Sequence, residues 1–339
     1  MKICHFPRGW PMLEECKALK SIGQEAHAYD FLPHKFFSPA DYTLHLQRAA
    51  RDQLGEKIGE FIDQVKDKYD VFHLHMMLAY ANPYCPKVEH LSVLKSLGKK
   101  MVVEHHGSDA RRMSLATKNN PYFRERRDYV GEARIVSSLR QLATVFDHAV
   151  LHDYELVPDI QEFYPHVHVI PYPFDVSFVS PAYPQATTHE PLIVHAPSDP
   201  YVKGTDYVLD AVSRLRKAGY EFTFQLVQNL HNNQAIDLYR KADIVIDQLC
   251  IGAHGIVSLE AMAYGKPVVC YIKEELVGKY PKDLPIVNAN PDTLERVLAS
   301  LLDSPRDLHE LGQKGRAYVE AHHDPTAIAQ QWADLYEMC

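Results

Sequence analysis

The feature that most constrains the fold is a strand, loop, helix and strand that follow one another without interruption late in the chain. The apolar run Asp243 to Ile246 predicts a strand, and the loop Gly252 to Gly255 leads into a helical pattern, Ile256 to Ala263. Gly265 and Pro267 then end the helix and open another apolar strand. A unit of this kind is typical of α/β proteins.

The loop before this helix has the composition of an anion-binding site. A helix that begins after a glycine-containing loop at the carboxyl end of a strand points unpaired N–H groups and its positive dipole end outward, where a phosphate binds well. Glu260 comes one turn into the helix and can accept hydrogen bonds from ribose hydroxyls, as carboxylates do in doubly wound folds. The pattern predicts a nucleotide site. The alternative is that Glu260 is a solvated helix residue and that the glycines only make turns.

Strand and helix signals alternate along most of the chain. Further apolar strands are predicted at Lys2 to Phe6, Ala26 to Phe31, Val71 to His75, Met101 to Glu104, His148 to Leu151, Val167 to Ile170, Leu192 to His195 and Phe222 to Val227. At 339 residues and 46% hydrophobic, the chain can bury two cores. We therefore predict an amino-terminal domain at residues 1–172, a proline-rich linker at 173–191 and a second domain at 192–321.

Composition excludes several functional classes. The net charge of −8 and a pI near 6.2 argue against a general nucleic-acid-binding protein. The six cysteines form no C-x-x-C pair and indicate reduced thiols in the core. The first residues, M-K-I-C-H-F, lack the apolar region of a signal peptide, and no stretch of about 18 residues is free of charge. We expect a cytoplasmic protein of unknown oligomeric state.

The run G-I-V-S-L-E-A-M-A-Y-G-K-P-V-V, residues 255–269, resembles the signature of family 4 glycosyltransferases. This resemblance implies the GT-B fold, in which two Rossmann-like domains face each other across a cleft and a last helix, here residues 322–339, crosses back to the first domain. It also implies a retaining enzyme, as in polysaccharide biosynthesis. The second domain would bind a nucleotide-diphosphate sugar, and the first would hold a glycan, lipid-linked or other acceptor.

The resemblance also assigns roles to individual residues. Glu260 matches the second of two motif glutamates and would hold the donor ribose, whereas the position of the first, which contacts the donor sugar in the family, is Gly252. Lys203 and Gly204 resemble a lysine-glycine pair whose lysine contacts the donor diphosphate. The arginine that the family places five residues before this lysine is Ser198 here, and Arg8 can supply the missing charge.

In the first domain, His106 and Gly107 match a His-Gly pair that the family commonly carries opposite the donor sugar. The alternative is a polar loop capped by Asp109. The predicted catalytic residues are His106, Lys203 and Glu260. The predicted donor-binding residues are Arg8, Gly9, Gly107, Lys203, Gly204, Asp247, Gln248, Gly252, His254, Gly255, Ile256, Val257 and Glu260.

A metal ion is not expected from the sequence. His73 and His75 share one face of a strand, but a third ligand at a recognisable spacing is missing, and the chain has no D-x-D triplet. We therefore predict no metal and no cofactor beyond the nucleotide-sugar substrate. His73 and His75 are expected to line the carboxyl edge of the sheet instead.

Two questions stay open at this level. The basic and aromatic run Arg111 to Arg127 is either solvated surface or a contact for an anionic acceptor or the inner membrane surface. Because Gly252 and Ser198 depart from the family pattern, a catalytically inactive protein that binds sugar nucleotides or stabilises a partner is an alternative to the enzyme. A sugar-nucleotide epimerase with the same fold is a third reading.

Overall fold

The computed structural model describes residues 1–33, 39–76, 80, 82–126, 129–187, 190–227 and 232–339, with the backbone alone for residues 232–235. The chain forms two compact units. Unit 1 comprises Met1–Leu115, Tyr129–Pro173 and Pro325–Cys339, and unit 2 comprises Ala116–Asp128 and Phe174–Asp324. Arg127, which ends the basic run, lies outside the described residues.

The described strands and helices alternate, as the sequence predicts. The strands are β1 (Lys2–Phe6), β2 (Glu25–Asp30), β3 (Tyr42–Thr43), β4 (Val71–His75), β5 (Lys100–Glu104), β6 (His148–Leu151), β7 (His166–Val169), β8 (Leu192–His195), β9 (Thr223–Leu226), β10 (Ile244–Ile246), β11 (Val268–Cys270) and β12 (Val287–Asn288). The helices are α1 (Trp10–Ser21), α2 (Leu54–Val65), α3 (Val88–Ser96), α4 (Met113–Ala116), α5 (Glu132–Ala143), α6 (Val157–Ile160), α7 (Pro200–Lys203), α8 (Thr205–Lys217), α9 (Asn232–Lys241), α10 (Ile256–Ala263), α11 (Glu274–Val277), α12 (Leu294–Asp303), α13 (Pro305–His322) and α14 (Pro325–Met338).

Unit 1 contains a parallel sheet with the strand order β3-β2-β1-β4-β5-β6-β7. Side chains alternate between its two faces, and both faces are buried. One face packs apolar side chains against α2, α3 and α5. The other face presents Ile3, Val71, Val102 and Val150 to helices α1 and α14. Trp332 and Tyr336 of α14 are fully buried against it. The last helix therefore completes the core of unit 1.

Unit 2 contains a second parallel sheet, in the order β12-β11-β10-β8-β9. One face packs against α8 and α12, while α10 packs against α13, where Gly315 contacts Met262. The predicted mixed α/β fold with parallel sheets in two units is confirmed. Among the described helices, none combines the length and apolar character needed to cross a bilayer.

The segment predicted as a linker packs on unit 2 from Phe174 onward. The Phe174 amide donates to the His323 carbonyl at 2.8 Å, and the Ala182 amide donates to the Tyr264 carbonyl at 2.9 Å. Arg316 donates to the carbonyls of Val176 and Val179. The segment therefore forms a strap over α10 and α13, because its amides and carbonyls find fixed partners there.

Residues 116–128 also differ from the predicted division, since they belong to unit 2 rather than to the first domain. Asn120, 1% exposed, donates to the carbonyls of Cys250 at 2.9 Å and Ile251 at 3.1 Å. Arg124 forms a bidentate pair with Asp206 at 2.6 and 2.8 Å. These contacts fix the segment to unit 2. The sequence has no periodicity from which they could be predicted.

Candidate functional site

Asp247 joins the two segments of unit 2 that carry the predicted phosphate ligands. It follows β10 directly and is 3% exposed. Its Oδ2 accepts hydrogen bonds from the Gly255 amide at 2.8 Å and the Ser258 hydroxyl at 2.7 Å, while its Oδ1 lies 3.5 Å from the Lys203 ammonium. Burial opposes ionisation, but the lysine and the two hydrogen bonds outweigh it, so the pKa of Asp247 is lowered. Asp247 is thus an ionised anchor within the site.

Lys203 is presented by a short helix and a left-handed turn. The Asp199 side chain caps α7 by accepting from the amides of Tyr201 and Val202. Gly204 then turns the chain into α8 with φ +80°, and a Cβ there would lie 2.9 Å from the Cys250 sulfur, so only glycine fits. The Lys203 ammonium donates to Gln248 Oε1. Gln248, 4% exposed, therefore holds the lysine head in place.

The first turn of α10 lies beside this lysine. An ideal Cβ built on Gly255, the residue before the helix, would lie 3.3 Å from Lys203 Nζ and 3.1 Å from Asp247 Oδ2. Within the described chain, the amides of Ile256 and Val257 have no acceptor, as expected for a first helical turn. An ammonium group and free helix amides thus converge at one place, which is the arrangement that binds a phosphate.

Glu260 lies one turn into α10. Its side chain is partly exposed, and its carboxylate has no hydrogen-bond or ion-pair partner among the residues that the structure describes. Burial, with a smaller contribution from the charge of Asp247, raises the pKa of Glu260 to about 7. A carboxylate in this state gains from ligand hydroxyls that donate to it.

Gly252 stands at the position that the resemblance aligns with a glutamate, and the structure leaves no room for a side chain there. Its φ is +91°, and an ideal Cβ there would lie 2.3 Å from Cγ and 2.8 Å from Cδ of Lys273. The Lys273 amide donates to the Gly252 carbonyl at 2.9 Å, and its side chain is 5% exposed. The aliphatic stem of Lys273 therefore occupies the place that a side chain at position 252 would need.

His254 lies between these two glycines and contacts Tyr280, with the ring centroids 5.2 Å apart. Its Nδ1 is buried and has no hydrogen-bond partner within the described part of the chain. The role of His254 in donor binding stays a prediction.

The predicted residues of unit 1 lie in two loops. Arg8 and Gly9 connect β1 to α1, and Gly9, with φ +136°, precedes the helix. His106 follows β5, with its Nδ1 3.1 Å from the Tyr172 hydroxyl and its Nε2 2.8 Å from Glu104 Oε1. Asp109 accepts from the amides of His106 at 3.0 Å and Gly107 at 2.9 Å. Asp109 therefore does cap this loop, and the capped loop fixes the backbone of His106.

Arginines of the predicted basic run are paired within the protein. Arg111 donates to both carboxylate oxygens of Glu155 at 3.0 and 2.7 Å, and Arg112 donates to Glu162 and to the Pro158 carbonyl. With Arg124 bound to Asp206, these three charges have carboxylate partners in their own unit. Each of these three arginines is therefore held by contacts inside the protein.

Comparisons with known proteins match part of the chain to a described family. Residues 217–318 match the family model described as glycosyl transferases group 1. The MMP alpha-(1->4)-mannosyltransferase of Mycolicibacterium hassiacum is 26% identical across 61% of this chain and 56% of that protein. The chain thus aligns with little more than half the length of this curated relative.

Solved structures match over the whole chain. Sucrose-phosphate synthase from Thermosynechococcus elongatus has a TM-score of 0.65 at 14% identity, covering 99% of this chain and 98% of that one. HepE of Anabaena, solved in complex with UDP-glucose, has a TM-score of 0.63 at 12% identity and full coverage of both chains. The chain has the GT-B fold. Within this GT-B protein the group 1 segment lies in unit 2 and includes Asp247, Gly255 and Glu260.

Proposed function

We propose that the protein is a retaining glycosyltransferase that takes a sugar from a nucleotide-diphosphate donor bound by unit 2. The acceptor is a glycan or a lipid-linked sugar, held by unit 1. The segment that matches the group 1 glycosyltransferases and the mannosyltransferase relative both support this activity.

The observation that carries the proposal is the convergence of Lys203 with the first turn of α10. Charge grows on the diphosphate as the bond to the sugar breaks, and an ammonium with free amides stabilises this charge where it develops. These groups supply positive charge without a metal ion, and the groups of side chains suited to metal binding among the described residues all lie in unit 1.

Glu260 has a different role in this proposal. Its carboxylate has no partner in the described parts of the chain, so it can accept hydrogen bonds from the ribose hydroxyls of the donor. The ribose does not change during transfer, so this interaction contributes equally to the ground state and the transition state. His106 of unit 1 is proposed to contact the transferred sugar.

One structural observation favours a rival, a protein that binds the donor without transferring the sugar. Where the family has a glutamate that contacts the donor sugar, this chain has Gly252 covered by the stem of Lys273. A binder retains the diphosphate and ribose contacts but lacks one group for the sugar. Binding alone therefore does not separate the two functions.

The test combines binding and turnover. Calorimetric titration with a panel of nucleotide sugars and free nucleoside diphosphates identifies the donor, and release of the nucleoside diphosphate in the presence of glycan acceptors measures transfer. Lys203→Ala is compared with Lys217→Ala, and Glu260→Gln with Glu274→Gln, because both control residues are exposed helix residues of the same unit.

The enzyme is supported if one donor binds, turns over and loses affinity in the Lys203 and Glu260 variants but not in the controls. Donor binding without turnover across the acceptor panel would support the binder instead. If neither sugar nucleotides nor nucleoside diphosphates bind the wild-type protein, the donor site itself is wrong.

A further inference from the structure

A row of polar side chains crosses the buried face of the unit 1 sheet that α1 and α14 cover. The amino-terminal positions of this face are apolar, namely Ile3, Val71, Val102 and Val150. Further along the same strands, by one step or, for His75, by two, this face carries His5, His73, His75 and Glu104, which are all 0% exposed. His5 pairs with His73, and His75 pairs with Glu104, in the strand register. The sheet therefore brings these side chains together.

Glu15 enters the row from α1 and is also 0% exposed. Its Oε2 lies 3.9 Å from His5 Nδ1, 3.9 Å from His73 Nδ1 and 3.9 Å from His75 Nε2. One ligand atom from each of the four residues lies within 4.8 Å of the other three. Within the described chain, neither Glu15 oxygen has a hydrogen-bond partner. A buried carboxylate is rarely left in this way.

The far nitrogens of two of these histidines face a second carboxylate. His73 Nε2 lies 3.1 Å from Glu104 Oε2, and His75 Nδ1 lies 3.2 Å from Glu104 Oε1. A carboxylate that accepts from the far N–H of a ring whose near nitrogen faces an ion is the usual way in which metal-binding histidines are oriented. His75 Nδ1 makes this hydrogen bond to Glu104, whereas His73 Nε2 lies close to Glu104 without hydrogen-bond geometry, so ion binding would have to align that second contact. The near nitrogens, His73 Nδ1 and His75 Nε2, are those that face Glu15.

Two further groups border the four ligand atoms. The Tyr336 hydroxyl lies 2.8 Å from His73 Nδ1, and His5 Nδ1 lies 2.9 Å from His75 Nε2. Ligands at about 2.0–2.2 Å from a zinc ion lie roughly 3.3–3.6 Å apart in a tetrahedron. Ion binding would therefore lengthen the contact between the two histidines, shorten the contacts to Glu15 and displace the tyrosine hydroxyl.

The charges of the row point to a cation. Two carboxylates, Glu15 and Glu104, are buried together, and the described residues place no lysine or arginine within ion-pair distance of either. Glu104 has histidines beside it, but Glu15 has no hydrogen-bond partner among the described residues, and burying a carboxylate in this way is costly. A divalent ion bound by neutral imidazoles would balance both negative charges.

We propose that His5, Glu15, His73 and His75 form a binding site for a divalent transition-metal ion of the zinc class, with Glu104 orienting two of the histidines. Three imidazoles and one carboxylate suit zinc and its neighbours rather than magnesium or calcium, which prefer oxygen ligands. This site cannot be recognised from the spacing of residues in the sequence, because its ligands come from β1, α1 and β4. The ion would fasten α1 to the sheet, and it lies in a different unit from the proposed diphosphate ligands.

The first experiment measures the metal content of the purified, tag-free protein by mass spectrometry, before and after dialysis against Zn²⁺. Cobalt substitution then reports the ligands through its visible absorption. We expect about one ion per chain, as for a structural site, and nitrogen-rich tetrahedral or five-coordinate cobalt spectra.

Three variants identify the ligands. Glu15→Gln should abolish the site, whereas Glu14→Gln, its exposed-face neighbour that pairs with Lys17, should not change metal binding. Glu104→Gln should weaken affinity about 10–100-fold while keeping the stoichiometry. His106→Gln should keep the ion, because His106 belongs to a different group of potential ligands, with His75 and Glu104. Loss of the ion in His106→Gln would overturn the proposed ligand set.

Surface histidines require a separate control. His148 and His168 lie 3.1 Å apart on neighbouring strands, and His166 is exposed beside them. Zinc that survives in Glu15→Gln and disappears in His168→Gln is adventitious. If the wild-type protein retains no more Zn²⁺ or Co²⁺ than Glu15→Gln, the row is a proton-sharing network and the proposal is wrong. If Glu15→Gln fails to fold, a wild-type protein that retains no Zn²⁺ or Co²⁺ after dialysis is enough to overturn the proposal, and a retained ion that survives in His168→Gln with a nitrogen-rich cobalt spectrum supports it.

Discussion

Substitution of Gly252 by alanine tests the local structure that distinguishes this protein from the family pattern. Two costs add. A non-glycine residue at φ +91° costs about 1–2 kcal/mol. A Cβ at 2.3 Å from Lys273 Cγ forces that side chain to move, and overpacking of this kind costs about 1–3 kcal/mol. We expect Gly252→Ala to destabilise unit 2 by about 2–5 kcal/mol.

The assay must report on unit 2. Trp10 and Trp332 both lie in unit 1, so tryptophan fluorescence would miss the effect. Native-state hydrogen exchange of peptides covering β10 and β11, read by mass spectrometry, gives the local free energy of opening. The double variant Gly252→Ala/Lys273→Ala should recover the overpacking part, about 1–3 kcal/mol, and retain the cost of the positive φ.

Gly278→Ala is the matched control. Gly278 belongs to the same unit, has φ −77°, and a Cβ there meets nothing within 4 Å. Alanine should be neutral or stabilise by about 0.4–1 kcal/mol at such a position. If the exchange free energies of Gly252→Ala and Gly278→Ala coincide, the stem of Lys273 does not cover Gly252 and the explanation for the missing glutamate fails.

Three further outcomes follow from the site in unit 2. The pKa of Glu260 rises from 4.5 to about 7 on folding, so the wild-type protein should lose stability as the pH rises through this window. At 1.36 kcal/mol per pKa unit, Glu260→Gln should remove a loss of about 3 kcal/mol, measured by calorimetric unfolding at pH 5 and pH 8 with Glu274→Gln as control. Parallel stability curves for the wild type and Glu260→Gln would show that Glu260 does not cause the loss. Lys203→Ala should lower kcat as well as donor affinity, whereas Glu260→Gln should mainly raise KM. Steady-state kinetics measure both constants. If kcat and KM change equally in the two variants, the two residues do not have different roles. Gly255→Ala should weaken nucleoside diphosphate binding in calorimetry, because its Cβ would lie 3.1 Å from Asp247 Oδ2 and 3.3 Å from Lys203 Nζ. Unchanged affinity would show that the close approach of Gly255 to Asp247 and Lys203 does not shape the site.

The sequence predicts the elements whose pattern is local. β4, β6, β8 and α10 begin and end at the predicted residues because the hydrophobic pattern of each is complete within its own run. The helical spacing from Leu46 to about Lys68 predicts one long helix, but this is wrong over its first part, where short 3₁₀ turns at Leu46–Arg48 and Arg51–Gln53 precede α2. Burial of Leu46 against the unit 1 core overrides the helical periodicity there.

What the sequence does not predict depends on contacts between distant segments. From the sequence, the strap after Phe174 is interpreted as a linker and the segment around Asn120 as polar surface. Their true partners are backbone carbonyls and amides, which no sequence motif encodes. The position of Lys273 beneath Gly252 likewise needs the fold. His73 and His75 are recognisable as a pair, but His5 and Glu15 join them only through the strand register and α1.

Helix α14 has a consequence for the order in which the molecule can be made. The strands of unit 1 leave the ribosome first, yet Trp332 and Tyr336, which fill one face of its sheet, are synthesised after all of unit 2. Domains usually fold in the order of their synthesis. Here the continuous stretch that builds the sheet of unit 2 is complete while unit 1 still exposes an apolar face. Unit 1, whose strands are synthesised first, can therefore complete its core only after α14 has been synthesised.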